Sequence, residues 1–180
     1  IQMAKRKHVA IGAHPGFPDR ANFGRLRLDW PADRIAFETV AQVGRLLAVA
    51  AEEEARVCDV KLHGARNNMC AEDEDLSKTI FAAIRMLDDS LAILAVEGSA
   101  QVSAAEALGM EVITEAFADR GYVKKGILVP RSDEGAILSC RKDVLDRCLR
   151  LAEKGEIVAS DGSVFESAAR SICLHGDTPG

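Results

Sequence analysis

The stretch Val9-Ala-Ile-Gly-Ala-His-Pro-Gly-Phe-Pro-Asp19 begins as a short apolar run and ends in a loop with a histidine, two prolines, a glycine and a carboxylate. The run Val9 to Ala13 reads as a buried strand, and His14 to Asp19 as the loop at its C-terminal end. The arrangement recurs twice. Lys61-Leu-His-Gly-Ala65 follows Val57-Cys-Asp-Val60, and His175-Gly-Asp-Thr-Pro-Gly180 follows Ser171-Ile-Cys-Leu174.

The segments around these loops decide the fold class. Residues 1–8 read as a leader or as the end of a helix, with Lys5, Arg6 and Lys7 suiting the negative pole of the latter. Pro31 fits the first turn of a helix that runs to about Glu53, and Ile35, Val40, Val43, Leu46, Leu47 and Ala50 give it one apolar face. The second strand spans Val57 to Leu62. His63 to Cys70 reads as a loop, and the acidic run Glu72-Asp-Glu-Asp75 favours the positive end of a helix from Leu76 to Leu87. A third strand, Leu91 to Val96, leads to a helix capped by Ser99 and stopped near Gly109. Met110 to Thr114 reads as a fourth strand, and Glu115-Ala-Phe-Ala-Asp-Arg-Gly-Tyr122 as a polar loop. An excursion over 123–140 holds a short strand at Ala136-Ile-Leu138, and a helix over Asp143–Glu153 ends at Gly155. Strand and helix alternate through connections too long for hairpins, so the strands are expected to be parallel with helical crossovers. Gly12-Ala-His-Pro-Gly16 is neither a dinucleotide fingerprint nor a Walker loop. The expected class is therefore α/β of the barrel-like (β/α) kind, in which strand C-terminal ends build the site.

At 180 residues the chain is one domain by length, and 48% hydrophobic with 28% charged residues is a globular composition. A net charge of −5 and the lack of a basic stripe argue against a nucleic-acid partner. No apolar run reaches the roughly 18 to 20 residues of a membrane span. The five cysteines, Cys58, Cys70, Cys140, Cys148 and Cys173, include no CxxC pair. They read as reduced thiols in a cytoplasmic setting, with a cysteine nucleophile as the lesser alternative.

His14, His63 and His175 each follow an apolar strand within one or two residues. One strand-end histidine is usually structural, but three in equivalent places point to a shared site. Such imidazoles serve as general acids and bases, or bind a divalent metal; the sequence leaves that choice open. Asp19, Asp119 and Asp177 are the carboxylates of these loops, competing with a plain role as turn formers. Asp119-Arg120, beside Phe117 and Tyr122, reads as an ion-paired cleft wall. Lys61 shares a strand with Val60 and Leu62. If those two face the helices, Lys61 faces the barrel interior and must be paired or functional. Arg25 and Arg131 are further anion-binding candidates, and Asn68 either positions substrate or turns the chain.

Taken together, Gly12-Ala-His-Pro-Gly-Phe-Pro-Asp19 with Phe23-Gly-Arg25, Lys61-x-His-Gly-Ala65 with Asn68, Glu115-x-Phe-Ala-Asp-Arg-x-Tyr122, Val129-Pro-Arg-Ser132 and His175-Gly-Asp-Thr-Pro-Gly180 closely resemble the LamB/YcsF family. That is the lactam-utilisation family, associated with the A component of the prokaryotic 5-oxoprolinase. The resemblance implies a deformed (β/α) barrel of the glycoside hydrolase/deacetylase-like type. It implies ATP-dependent opening, with Mg, of 5-oxo-L-proline or a related lactam, and the B and C subunits of 5-oxoprolinase as partners. On that reading His14, His63, His175, Asp177 and Lys61 carry the chemistry. Asp19, Arg25, Asn68, Asp119, Arg120 and Arg131 hold the substrate.

The family pattern also includes two earlier strand-loop units, with Asp-x-Asn-x-Asp-x-Gly-Glu and Gly-Phe-His-Ala-Gly-Asp motifs, and a final helix. Their lack within 1–180 leads to the expectation of one domain belonging to a fragment or a shortened homologue. Its open sheet edge would invite pairing, in a homo-oligomer or with another chain. The family's Lys-Pro-His-Gly-Ala-Leu-Tyr-Asn stands here as Lys61-Leu-His-Gly-Ala-Arg-Asn-Asn68, which changes the expected pocket at Arg66 and Asn67. A metal-dependent deacetylase-like hydrolase, and an inactive homologue serving as an interaction subunit, are the alternatives.

Overall fold

Residues 1–175 are described by the structure, a computed structural model. They form two compact units. The first comprises Ile1–Ala95 and Ala100–Val112; the second comprises Val96–Ser99 and the chain from Ile113 onward.

The first unit is built from α1 (Gln2–Arg6), β1 (Ile11–Ala13), α2 (Ala32–Glu52), β2 (Val57–Val60), α3 (Gly64–Glu72), α4 (Glu74–Leu87), β3 (Ala92–Val96, its last residue in the second unit) and α5 (Ala100–Ala107). The strands β1, β2 and β3 are parallel neighbours, as the alternation of strands and helices requires. Gly12 stands opposite Asp59, Ala13 opposite Val60, and Asp59 opposite Ala92. The strand β1 is shorter than its apolar run because His8 adopts a left-handed φ of 55° and Val9 is solvent-exposed. Pro15, having no N–H to give, joins the pairing only through its carbonyl.

Helices α2, α4 and α5 pack together beside these strands. Ile35 and Val43 of α2 meet Ile80, Phe81 and Ile84 of α4 in a core that also takes Val60, Leu62 and Ile93. Asp73 starts α4: its carboxylate accepts from the Leu76 N–H at 2.9 Å, so the acidic run supplies the cap as well as the first turn. Residues 64–72 form α3, where a loop was expected over His63 to Cys70. Their polar composition hides the helix because its inward face carries Arg66 and Asn67 in addition to Ala65 and Cys70.

The second unit holds β4 (Val112–Phe117, its first residue in the first unit), β5 (Tyr122–Lys124), β6 (Ile127–Leu128), α6 (Arg141–Lys154), β7 (Glu156–Val158), β8 (Val164–Glu166) and β9 (Ser171–Cys173). The strand β4 runs three residues past its expected end, because Glu115, Ala116 and Phe117 pair in parallel with Ser171, Ile172 and Cys173. Two antiparallel hairpins, β5–β6 and β7–β8, break the expectation that every connection is a crossover. Ala136-Ile-Leu138 is not a strand; Ile137 makes one isolated bridge to Arg120. Gly155 closes α6 in the left-handed conformation, as expected. Tyr122, Leu151, Ile157, Phe117 and Ala159 form this unit's own core. Among the described residues, no helix is long and apolar enough to cross a membrane.

Candidate functional site

Side-chain alternation on β1 and β2 sorts the residues into two sets. Ala13, Pro15, Val60 and Leu62 are buried, while Gly12, His14, Asp59, Lys61 and His63 alternate with them and are partly or fully exposed. The five alternating residues form one polar face, the placement expected for Lys61. Two backbone bonds carry the parallel pairing past the strand ends: the Lys61 N–H donates to Ala13 O at 2.9 Å, and the His63 N–H to Pro15 O at 2.9 Å.

His14 and His63 meet at the top of this face. His63 Nδ1 lies 2.9 Å from His14 Nε2, with the ring planes at 80°. Their outer nitrogens face carbonyls: His14 Nδ1 is 2.7 Å from Lys61 O, and His63 Nε2 is 2.7 Å from Phe23 O. A carbonyl only accepts, so both outer nitrogens carry hydrogen. Two neutral rings so arranged would set lone pair against lone pair; the inner contact is a hydrogen bond only if the pair shares a third proton. This assignment follows from the hydrogen-bond network.

The loops are drawn together by close backbone approach. Gly64 has φ 57°, and a Cβ there would stand 2.5 Å from Gly24 O, so the tip of the second loop lies directly against the 23–25 turn. The Ala65 N–H donates to the same carbonyl at 3.1 Å. Phe23 packs edge-on to His63 at 5.2 Å, and the Arg25 guanidinium lies 5.0 Å from the Phe23 ring centroid. Asp19 forms the turn: its Oδ1 accepts from the Asn22 N–H and side-chain amide, while its Oδ2 is buried without a hydrogen-bond partner. Asn68 is exposed on α3.

Asp59 was not singled out in the sequence, yet it stands on this polar face. A Cβ on Gly12 would be 2.4 Å from Asp59 Oδ1, so the carboxylate lies flat over β1 where Gly12 leaves room. Desolvation raises its pKa above the usual aspartate value, against the opposing pull of Lys61. The signal was available: Asp59 and Lys61 share strand parity, and a carboxylate inside a four-residue strand calls for an explanation.

In the second unit, His175 donates through its backbone N–H to Asp119 Oδ2 at 3.0 Å, and its ring Nδ1 lies 2.8 Å from Asp119 Oδ1. The Asp119 side chain is 2% exposed and that of His175 21%. Phe117 stacks on the imidazole at 5.6 Å with a 20° tilt. A buried carboxylate on Nδ1 fixes the tautomer and leaves Nε2 as a base, the orientation used by acid–base dyads. Arg120 follows Asp119, but its Nε and Nη2 donate to Ala136 O at 2.9 Å and Val129 O at 2.7 Å. Those donors staple the 129–137 loop. Arg131 is half-buried in the turn that follows Pro130. Asp177 lies outside the described residues.

The first unit thus carries the His14–His63 pair and the second a single histidine, His175, paired with Asp119. Among the described residues, no group of three or more His, Cys, Asp or Glu side chains is arranged to hold a metal ion. All four ring nitrogens of His14 and His63 have partners, so a cation there would have to displace their mutual contact. Arg66 and Asn67 are both buried. Asn67 takes the Gln101 amide on its backbone and side-chain oxygens at 2.9 and 3.0 Å, and Arg66 reaches toward α2. Neither stands on the polar face.

The chain is similar to known proteins along its whole length. The LamB/YcsF family model matches residues 1–180. The third 5-oxoprolinase A component of Pseudomonas syringae pv. tomato is 40% identical over 179 residues, which is 99% of this chain and 70% of that protein. The 5-oxoprolinase A component of Streptomyces avermitilis is 40% identical over 99% of this chain and 72% of its own length. The crystal structure of the lactam utilization protein from Thermus thermophilus superimposes with a TM-score of 0.89 at 31% identity, covering 98% of this chain and 72% of that one. The fold class is α/β of the deformed (β/α) barrel type, as the family resemblance led us to expect.

Proposed function

The chain belongs to the LamB/YcsF family, and from that premise we propose that it works as the A component of an ATP-dependent 5-oxoprolinase, which opens 5-oxo-L-proline to L-glutamate. The observation that carries the proposal is the 40% identity, over 99% of the chain, to proteins named as the A component of 5-oxoprolinase. The polar face gives the proposal a chemistry.

A five-membered lactam resists hydrolysis because its amide is planar and its amine is a poor leaving group. ATP, taken as a substrate with Mg, would phosphorylate the lactam carbonyl oxygen and make the ring carbon electrophilic. Water adds to that carbon and gives up a proton, and the C–N bond breaks as the nitrogen gains one; a second water then splits the resulting γ-glutamyl phosphate into L-glutamate and inorganic phosphate, with ADP as the other product. The His14–His63 pair is suited to give the nitrogen that proton when it carries one between the rings, since either inner nitrogen can release it. Lys61, beside Asp59 on the same face, is suited to hold the substrate carboxylate. Arg25 is the further cation of the first unit. His175, oriented by Asp119, offers a base in the second unit, and its part in the reaction is assigned by its own variants.

The test is reconstitution. This chain is combined with the B and C subunits of 5-oxoprolinase, ATP, Mg and 5-oxoproline, and glutamate is measured against a control without the chain. Glutamate formation above the control, abolished by His63→Ala, is expected. No glutamate above the control refutes the proposal.

A further inference from the structure

Arg66 is fully buried, with 0% of its surface exposed. It enters the core from α3 and its hydrogen bonds go to neutral oxygens. Nη1 donates to Thr39 Oγ1 at 2.7 Å and Nη2 to Gly16 O at 3.0 Å, while Nε has no partner. The guanidinium carbon lies 4.9 Å from the Phe17 ring centroid. Burial lowers the guanidinium pKa to about 10. A cation held this way, with one donor orphaned, is a stability liability.

The acceptors do not need it. Thr39 Oγ1 already donates to Ile35 O at 2.7 Å, and Gly16 O already accepts from Gln42 Nε2 at 2.9 Å. Gln42 also takes the Gly16 N–H on its Oε1 at 3.1 Å. What the arrangement achieves is a grip on the backbone of one residue. Gly16 is held on its N–H and its carbonyl by Gln42, and on its carbonyl by Arg66. That backbone touches the site directly: a Cβ on Gly16 would stand 3.0 Å from His63 Cδ2 and 3.2 Å from His63 Cβ. His14 lies two residues earlier in the same loop.

We propose that Arg66 is a positioning residue for the His14–His63 pair, acting through the Gly16 peptide that it and Gln42 hold from the α2 side. It touches no substrate. It fixes the loop that carries His14 against the ring of His63, so the 2.9 Å contact between the rings is preorganised. The proposal deepens the functional reading above and rests on it for its consequence in turnover. The geometric claim stands by itself.

Arg66→Met and Arg66→Lys test it, read by two-bond 15N–15N coupling between His63 Nδ1 and His14 Nε2. Such coupling is transmitted only across a formed N–H···N bond. Wild type is expected to show it. Arg66→Met is expected to lose it while Tm stays within about 3 °C of wild type, since no acceptor is orphaned. In the reconstituted enzyme kcat falls by about tenfold or more with KM little changed, the signature of a misplaced reacting group. Arg66→Lys keeps a charge and a donor and is expected to recover part of both readouts. Absence of the coupling in wild type overturns the proposal. So does an Arg66→Met protein that is less stable but keeps the coupling. If Arg66→Met does not fold, Gln42→Met releases the same peptide from its other side, and retention of the coupling there overturns it. A wild type that makes no glutamate yet shows this coupling pattern refutes the 5-oxoprolinase reading alone.

Discussion

Gly12→Ala tests whether the Asp59 carboxylate lies over β1 as described. An added Cβ would stand 2.4 Å from Asp59 Oδ1, 2.9 Å from its Cγ and 3.0 Å from Oδ2. All three are below normal contact, so the carboxylate must swing away or the strands must part. Overpacking of this kind costs about 1–3 kcal/mol. Against it stands a gain: Gly12 is not in the left-handed region, and replacing such a glycine by alanine stabilises by about 0.4–1 kcal/mol through the unfolded chain. Gly12→Ala alone should therefore destabilise by about 1–2 kcal/mol. In an Asp59→Ala background the clash is gone and only the gain remains, so the same substitution should stabilise.

The sign reversal is the diagnostic, with a coupling of about 1.5–3 kcal/mol in the double-mutant cycle. Urea unfolding of the four proteins measures it, with thermal shifts of about 2–4 °C per kcal/mol as a check. If the effect of Gly12→Ala is the same in both backgrounds to within about 0.5 kcal/mol, the carboxylate does not rest on β1 and its place on the polar face is wrong.

Asp59→Asn should stabilise at neutral pH and lose that advantage in acid. Burial raises the Asp59 pKa in the fold, so the group's favourable contribution is complete below the unfolded value of 3.8 and is lost as pH rises through the folded one; unfolding scanned from about pH 3 to 8 reads the crossing. Asp73→Ala should lower stability by about 1 kcal/mol by removing the α4 cap, and Asp73→Asn should restore most of it; urea midpoints decide. A thiol reagent should label exposed Cys140 quickly and spare Cys70 until unfolding, because burial pushes the Cys70 thiol up to about 12; mass mapping of labelled native protein checks this. Asp119→Asn should leave the His175 ring in mixed tautomers, visible in its 15N shifts, and lower turnover by about 100-fold or more if His175 serves as base; unchanged shifts would refute the dyad.

What the sequence made legible, and what it hid, follows one division. The apolar runs ending in His14 and His63 read correctly as neighbouring parallel strands, because strand parity and crossover length are local properties. The Lys61 face was deducible from the burial of Val60 and Leu62 alone. The hidden elements depend on contacts distant in sequence. The hairpin β5–β6 is held to Glu97 by Lys125 at 3.0 Å, and the two turns meet so closely that a Cβ on Gly126 would stand 2.5 Å from Gly98 O. No periodicity in residues 123–140 announces that.

Helix α3 escaped for the opposite reason. The rule that polar residues face water counts against a helix over Gly-Ala-Arg-Asn-Asn68, yet Arg66 and Asn67 are its inward face. Locally, Arg66 and Asn67 were two departures from a family pattern, read as changes to the substrate pocket. The structure gives both residues buried partners behind the site: Asn67 fastens α5 through Gln101, and Arg66 grips the loop that carries His14. Residues that look like altered recognition in a sequence are thus buried behind the polar face, and the proposed role of Arg66 is one of support. Catalytic geometry is the place where their effect should be measured.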